Sequence, residues 1–481
     1  MITSKQEVLT LLRQYNPWWR SEKIADLPTW RRAAFGEILQ WVKSPPVPRA
    51  LLLSGMRQIG KTTLFMQVIE DLLADGTPPG QILYATLDHP LLRLTSLDDL
   101  LTMWRESEPA REGPEYVFLD EIQYAANWQT WVKHQVDFHK KRRLAVTGSA
   151  IPLVTEGQES GVGRWHTHRL ATFSFYEHMQ VKQTSMPSIP LLSSLQNLLS
   201  WSESVFQRVA ADAQPLVGHF NDYLLRGGFP QCAFVQSEVT AQKLIREDIV
   251  DKVLLRDMTA LYGVRNSAEL ERVFLYLCQH DGGLLNITDL SKNLEVSKQT
   301  ANTYIQHLEA AHLIYRLPPL GYGKEVLRGR FKVYLADPSI APSAMLKGKS
   351  LLNDPEAMGV AVESAFFKHL FTRYYQQSIG FSYWREQNKH EVDFIAELEG
   401  RLVPFEVKYR GRNHTGWDDL QGLVEFCSQK SVELGYVITQ EMEDFGLMEK
   451  EIKPGCHLQV LKIPAPLACY WLGASEALAA R

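Results

Sequence analysis

The segment Gly55-Met56-Arg57-Gln58-Ile59-Gly60-Lys61-Thr62 follows the pattern G-x-x-x-x-G-K-[ST]. Glycines let such a loop turn tightly, so that its backbone N–H groups point inward at phosphate oxygens. A helix starting at the loop adds the positive end of its dipole. In that setting Lys61 would contact the β- and γ-phosphates of ATP, and the Thr62 hydroxyl would complete the shell of a Mg2+ ion. Gly55, Met56, Arg57, Gln58, Ile59, Gly60, Lys61, Thr62 and Thr63 are therefore the expected nucleotide contacts. About 60 residues further on, Tyr116-Val117-Phe118-Leu119-Asp120-Glu121 is an apolar run ending in two acids. A strand of this kind carries its acids to the sheet edge where ligands of open α/β folds bind. Asp120 would hold the metal, mainly through water, and Glu121 would polarise the attacking water.

Two further positions belong to the same chemistry. Thr147-Gly148-Ser149 ends another apolar run, and a polar residue there can sense the γ-phosphate. Arg164, in Gly161-Val162-Gly163-Arg164, has the character of an arginine finger. A solvated loop arginine fits Arg164 equally well, and Thr147 and Ser149 would also serve simply to satisfy the turn.

A second cluster lies near the C-terminus. Glu391-Val392-Asp393-Phe394 opens one strand, Glu399-Gly400 suits a hairpin turn, and Leu402-Val403-Pro404-Phe405-Glu406-Val407-Lys408 forms the next. Alternation sets Val403, Phe405 and Val407 on one face and Glu406 with Lys408 on the other. Pairing about 399–400 brings Asp393 and Glu406 nearly opposite. Such carboxylates repel unless they share a cation, and oxygen ligands suit Mg2+, which can activate water beside a phosphodiester. Lys408 would then orient that water or neutralise charge on the phosphate. An amphipathic hairpin with its polar face in water has the same pattern. Arg410, Arg412 and His414 would suit a phosphate backbone, and equally plain solvent.

Apolar runs at 49–54, 81–87, 115–119, 143–147 and 169–173 alternate with helical segments, which predicts a mainly parallel α/β sheet. The N-terminal 1–43 reads as helical, with Trp18, Trp19, Trp30 and Trp41 as packing anchors. Residues 174–235 read as helical up to the turn Arg226-Gly227-Gly228-Phe229-Pro230. From 236 to 316 the chain reads as helical throughout. Within that stretch, Thr288–Glu295 and Ser297–Ala311 are two short helices with a tight turn near Val296, Ser297 capping the second. The extended run Phe331–Leu335 follows, giving the outline of a winged helix. Its second helix would present Lys298, Gln299, Asn302, Thr303, Gln306 and His307 to phosphates or base edges. Only one of these is reliably positive, so scaffolding suits the unit as well as DNA binding. The last third reads as a helix (359–375), two strands (392–398 and 401–408) and further mixed α/β structure.

With 481 residues, 45% hydrophobic and 22% charged, the chain has the composition of a soluble protein of two to four domains. A net charge of −4 excludes a globally basic nucleic-acid binder, so DNA contact would need local basic surface. The five scattered cysteines contain no Cys-x-x-Cys pair, which argues against a disulfide framework or structural zinc. No signal-peptide core or transmembrane run is present, so the expected location is the cytoplasm, with no membrane partner.

Taken in order, Ser54–Leu64, Phe118–Gln123, Leu144–Ala150, Gly163–Glu177, the segment Tyr-Leu-Leu-Arg-Gly-Gly-Phe-Pro-Gln-Cys at 223–232, and Arg256-Asp257-Met258 resemble the bacterial and archaeal AAA-type ATPases with a C-terminal domain of unknown function. The likeness runs from about 15 to 440. It implies an α/β P-loop NTPase (AAA-like) domain with helical lid over 1–235, a helical and winged-helix domain over 236–335, and a PD-(D/E)XK nuclease-like α/β domain over 336–481. On that pattern Glu363 corresponds to the acidic helix residue that joins Asp393 and Glu406 as a metal ligand, and Gln421 to a polar residue on the next helix. The implied protein hydrolyses ATP with Mg2+ and couples this to a DNA-associated module with possible metal-dependent nuclease activity. A nucleotide-dependent switch or scaffold for a protein partner, cutting nothing, is the alternative. An Arg164 acting across subunits would require a homo-oligomer.

Overall fold

The computed structural model describes residues 5–109, 112–149, 163–321, 330–377, 379–386, 390–398, 400–409 and 415–479. The chain divides into two compact units. One holds the residues up to Leu170 with Thr259–Gly263, and the other holds Ala171–Met258 and Val264–Ala479.

The first unit is built on a five-stranded parallel sheet. Its strands are β1 (Ala50–Ser54), β2 (Ile82–Thr86), β3 (Glu115–Asp120), β4 (Arg142–Gly148) and β5 (Trp165–Arg169), in the order β2-β3-β4-β1-β5. β1 is buried along its whole length, as a parallel strand covered on both faces must be. Leu52, Leu83, Val117 and Val146 from four strands pack with Trp104 and Trp128 from flanking helices in one core. The outer edge of β2 is closed by side chains rather than by another strand. Asn16 exchanges two hydrogen bonds with the Tyr84 backbone (2.7 and 2.8 Å), and the Trp18 and Trp19 indoles both donate to Ile82 O. An exposed row of backbone groups is thereby capped, which gives two of the expected tryptophan anchors a specific task.

The fifth strand departs from the sequence expectation of 169–173. It lies at Trp165–Arg169, and after Leu170 N–H donates to Ser54 O (2.7 Å) the chain leaves the sheet. Hydrophobicity misplaced it because β5 is an edge strand of aromatic and polar residues, whereas the apolar stretch beyond it is buried without pairing in the sheet.

In the second unit, helix Ser267–Gln279, β6 (Leu284–Leu285), helices Ile287–Leu294 and Lys298–Ala310, β7 (Ile314–Leu317) and β8 (Phe331–Leu335) follow in sequence. The three strands form an antiparallel sheet in the order β6-β8-β7. Ser297 caps the Lys298–Ala310 helix by accepting from Thr300 N–H (3.1 Å). The expectation of unbroken helix over 236–316 fails at β6 and β7, which are too short to set up a two-residue hydrophobic period.

A six-stranded mixed sheet completes this unit, with β9 (Gly380–Glu386), β10 (His390–Leu398), β11 (Arg401–Lys408), β12 (Leu434–Thr439), β13 (Gly446–Lys453) and β14 (Cys456–Pro464) in the order β13-β14-β12-β11-β10-β9. The long helix Pro355–Tyr374 supplies Phe366 and Phe367, whose rings meet those of Phe394 and Phe405 on β10 and β11. Buried beside it is an ion pair, Lys368 Nζ to Asp337 Oδ2 at 3.2 Å. Lys368 also donates to Phe173 O and Tyr223 OH, while Asp337 accepts from Thr172 Oγ1 and Gly228 N–H. Such a pair is tolerable in the interior because its remaining donors and acceptors are used. It pins the turn at 227–228, where Gly227 has φ +69° and a Cβ on Gly228 would collide with Phe173 O. Among the described residues no helix is long and apolar enough to cross a membrane.

Candidate functional site

β1 ends at Ser54, and the glycine loop passes directly into helix Lys61–Ala74. Gln58 (φ +58°) and Gly60 (φ +92°) take left-handed conformations that curl the loop. A Cβ at Gly55 would collide with Leu170 O and lie 2.6 Å from Ile59 Cδ1, so only glycine fits there. Lys61 is buried, its Nζ donating to Gly55 O (2.8 Å) and Met56 O (2.7 Å) on the inner side of the loop. Arg57 donates to Tyr124 OH (2.8 Å) and Arg32 to Ile59 O (3.1 Å), bracing the loop from outside.

Because β4 lies between β1 and β3, the acids of β3 and the loop meet across one intervening strand. Thr62 Oγ1 donates to Asp120 Oδ2 at 2.6 Å, and Tyr84 OH donates to the same oxygen at 2.9 Å. Burial and the Asp120 carboxylate hold the Tyr84 phenol far above its ordinary range, so it remains a donor. From β4, Thr147 Oγ1 donates to Asp120 Oδ1 and accepts from Glu121 N–H (2.9 Å). Glu121 sits in the left-handed region (φ +56°), which turns its side chain away from the strand direction. Its Oε2 accepts from Gln123 and from Ser149 Oγ (2.9 Å). A hydroxyl and a carboxylate oxygen side by side at the start of a helix are hard donors, and they fit Mg2+.

The structure thus brings together Gly55, Lys61, Thr62, Asp120, Glu121, Thr147 and Ser149. Thr63 follows on the helix, partly buried. Arg164 is not brought to them. Its carbonyl accepts from Ala50 N–H at the opposite end of β1, and its guanidinium pairs with Asp137 at 2.6 Å. A strand of five residues separates it from the loop, roughly 15 Å along the sheet. An arginine finger acting within one chain is therefore ruled out for Arg164. The sequence contained no spacing rule that would have found Tyr84, which reaches Asp120 from β2, whereas Gln123 lies only two residues beyond Glu121 and was passed over as part of the turn.

The C-terminal carboxylates converge as the hairpin register requires. Phe394 pairs with Phe405, so Asp393 and Glu406 occupy the next facing position. Val407 N–H donates to Asp393 Oδ2 (2.9 Å), and Lys408 Nζ lies 2.7 Å from Glu406 Oε1. Glu363, on the long helix, accepts from Tyr334 OH at 2.6 Å. At their centre stands a residue that sequence reading missed. Lys332 of β8 is 3% exposed, and its Nζ lies 3.2 Å from Asp393 Oδ1 and 3.8 Å from Glu363 Oε1, with Glu391 as a third carboxylate partner. A lysine amid Phe331, Val333, Tyr334 and Leu335 was the available signal. Burial and the neighbouring Asp393 push the carboxyls of Glu363 and Glu406 up to about 8. An ammonium already supplies the positive charge at this centre, so the donor set as arranged does not fit a resident Mg2+. Gln421 begins the helix Gln421–Lys430, while Arg410, Arg412 and His414 lie outside the described residues.

On the helix Lys298–Ala310, Lys298, Gln299, Asn302 and Gln306 are exposed. Thr303 is half-buried and donates to Gln299 O, and His307 is half-buried, its imidazole kept neutral by desolvation.

Residues 47–179 match the sequence model of the AAA domain. Residues 217–351 match a domain of unknown function (DUF8612), and 358–464 match a second (DUF4143). The chain therefore carries an AAA-type P-loop ATPase domain followed by these two. An uncharacterised protein of Haemophilus influenzae is 25% identical over 369 residues, 74% of this chain and 82% of its own. One from Methanocaldococcus jannaschii is 24% identical over 353 residues, covering 72% of each. Among solved structures, a Walker-type ATPase of Pyrococcus abyssi is similar over 67% of this chain and 98% of its own, with 14% identity and a TM-score of 0.37. The Aeropyrum pernix ORC1 protein in complex with DNA is similar over 69% of this chain and 96% of its own, with 13% identity and a TM-score of 0.27.

Proposed function

We propose that the protein binds ATP with Mg2+ at the loop 55–62 and hydrolyses it, with Glu121 as the base. The observation that carries this reading is the convergence of Thr62, Asp120 and Thr147, with Glu121 oriented by Gln123 and Ser149 beside them. The inward-facing amides and Lys61 bind the β- and γ-phosphates, and the Thr62 hydroxyl with Asp120 holds Mg2+. A bound Mg2+ would neutralise charge on the phosphates. Glu121 accepts the proton of the attacking water, its position set by two donors on one oxygen. Steady-state phosphate release by the full chain at millimolar Mg2+ is the test. Turnover that survives unchanged in Glu121→Gln would remove the assignment.

For the C-terminal half, the helix pair, the cap at Ser297 and the three short strands support reading 267–335 as a winged helix. Exposed Lys298, Gln299, Asn302 and Gln306 give it a polar face suited to DNA. The six-stranded sheet with Asp393, Glu406 and Lys408 supports kinship with the PD-(D/E)XK nucleases. Lys332 favours the second reading of that kinship, a non-cleaving module whose nucleotide-dependent role is to bind a partner. Incubation with DNA, Mg2+ or Mn2+, and ATP separates the two. Cleavage that is lost in Asp393→Ala would overturn the non-cleaving reading.

A further inference from the structure

We propose a transition-metal site, of the zinc class, formed by Glu37, His166 and His168 at the edge of the ATPase sheet. It is separate from the nucleotide loop and independent of the function proposed above. His166 and His168 are two apart on β5, so both imidazoles leave the same face of the strand. The helix Phe35–Lys43 brings Glu37 and Trp41 to them. Glu37 Oε1 lies 3.7 Å from His166 Nε2 and 3.4 Å from His168 Nδ1. Among the described residues, this is the group of three His, Cys, Asp or Glu side chains whose ligand atoms all come within 4.8 Å of one another.

The distances are those between ligands, not those of good hydrogen bonds. Four ligands about 2.0–2.1 Å from a tetrahedral zinc ion are separated from each other by roughly 3.4 Å. The spacing to His168 equals that value and the spacing to His166 is 0.3 Å longer, and both exceed the usual length of an N–H···O bond. Consistently, His166 Nε2 and His168 Nδ1 are both buried and have no hydrogen-bond partner. His168 is itself more than nine-tenths buried and directed at the carboxylate. Leaving two imidazole nitrogens unsatisfied inside a protein is costly unless something else takes their lone pairs.

The surroundings prepare the ring that is less confined. Trp41, one helical turn after Glu37, stacks on His166 with centroids 3.9 Å apart and planes 18° off parallel. Glu37 remains partly exposed, so a fourth position would be open to water. Two imidazoles and one carboxylate suit Zn2+, Ni2+ or Cu2+ and are a poor set for Mg2+, which prefers oxygen. Such an ion would tie the helix Phe35–Lys43 to the edge strand, which pairs with β1 along its length.

The test uses the full chain stripped with a chelator and titrated with Zn2+ in a calorimeter, with millimolar Mg2+ present throughout. One site per chain is expected, with affinity reduced at least tenfold in His168→Gln and in His166→Gln. Absence of stoichiometric binding, or binding unchanged in both variants, would overturn the proposal. Should the variants fail to fold, Co2+ added to the wild-type protein decides. A visible d–d band of four-coordinate cobalt without thiolate charge transfer supports the site. A six-coordinate spectrum, or one dominated by thiolate bands, overturns it.

Discussion

Lys332 Nζ lies 3.2 Å from Asp393 Oδ1, so a buried lysine from one strand neutralises the acid that opens the hairpin of another sheet. Removing one partner of such a cluster leaves the others buried and uncompensated. Lys332→Ala is expected to destabilise the folded chain by about 3–5 kcal/mol in urea denaturation. Millimolar Mg2+ should recover part of that loss in the variant while leaving the wild type unmoved. Equal melting temperatures for variant and wild type would show that the ammonium is not the charge holding this centre.

The same centre makes stability depend on pH in an unusual direction. Glu363 and Glu406 have folded-state values of about 8, and Asp281, buried against Ser364 and Leu335 N–H, is pushed up to about 7. All three lie above the ordinary carboxylate range, so between those limits the folded chain binds more protons than the unfolded one. Stability is then fully present only below the ordinary carboxylate range, at about pH 4, and is lost as pH rises from there through 7 to 8. The urea midpoint should fall between about pH 5 and pH 8, and fall less steeply in Glu406→Gln. A midpoint that climbs over this range would contradict the assignment.

At the proposed nucleotide site, Lys61→Ala is expected to weaken ATP binding by at least about tenfold, since it would remove a charge-assisted contact to phosphate. Glu121→Gln should retain ATP while slowing turnover by about 100-fold or more. Thr147→Val keeps the shape of β4 but removes the hydroxyl that joins Asp120 to the Glu121 amide. Its effect should appear in kcat rather than in nucleotide affinity, measured by filter binding alongside turnover.

Gly228→Ala tests the turn at 227–228. The added methyl would collide with Phe173 O and lie 2.7 Å from Phe173 N, both backbone atoms that cannot move aside cheaply. A loss of about 3 kcal/mol is expected, at the upper end of overpacking costs. Gly446→Ala, which meets open space, serves as the control and should change the midpoint little.

Much of the candidate nucleotide site was legible because its residues are local. Gly55–Thr62 is contiguous, and Asp120-Glu121 ends a strand whose burial is written in its own apolar run. The Asp393–Glu406 pairing was legible for a related reason, because a hairpin converts sequence distance directly into register. What could not be read were residues delivered by tertiary packing. Tyr84 reaches Asp120 from a neighbouring strand, Lys332 enters the carboxylate centre from a different sheet, and His166 with His168 lie on an edge strand that hydrophobicity shifted by several residues. Arg164 shows the converse, as far as its own chain's loop is concerned. A plausible residue type in a glycine-rich stretch lies at the wrong end of β1, and only the strand's direction reveals it.

The Asp337–Lys368 pair also bears on how the chain can be divided. Asp337 falls in the span matched by one domain description and Lys368 in the span matched by the next. Excising either piece at the junction would take the partner from a charge and expose to water the apolar surface packed around it, Tyr334 against Phe367 included. The two matched spans are therefore expected to fold together, and a fragment ending near residue 355 should emerge insoluble where the joined pair does not.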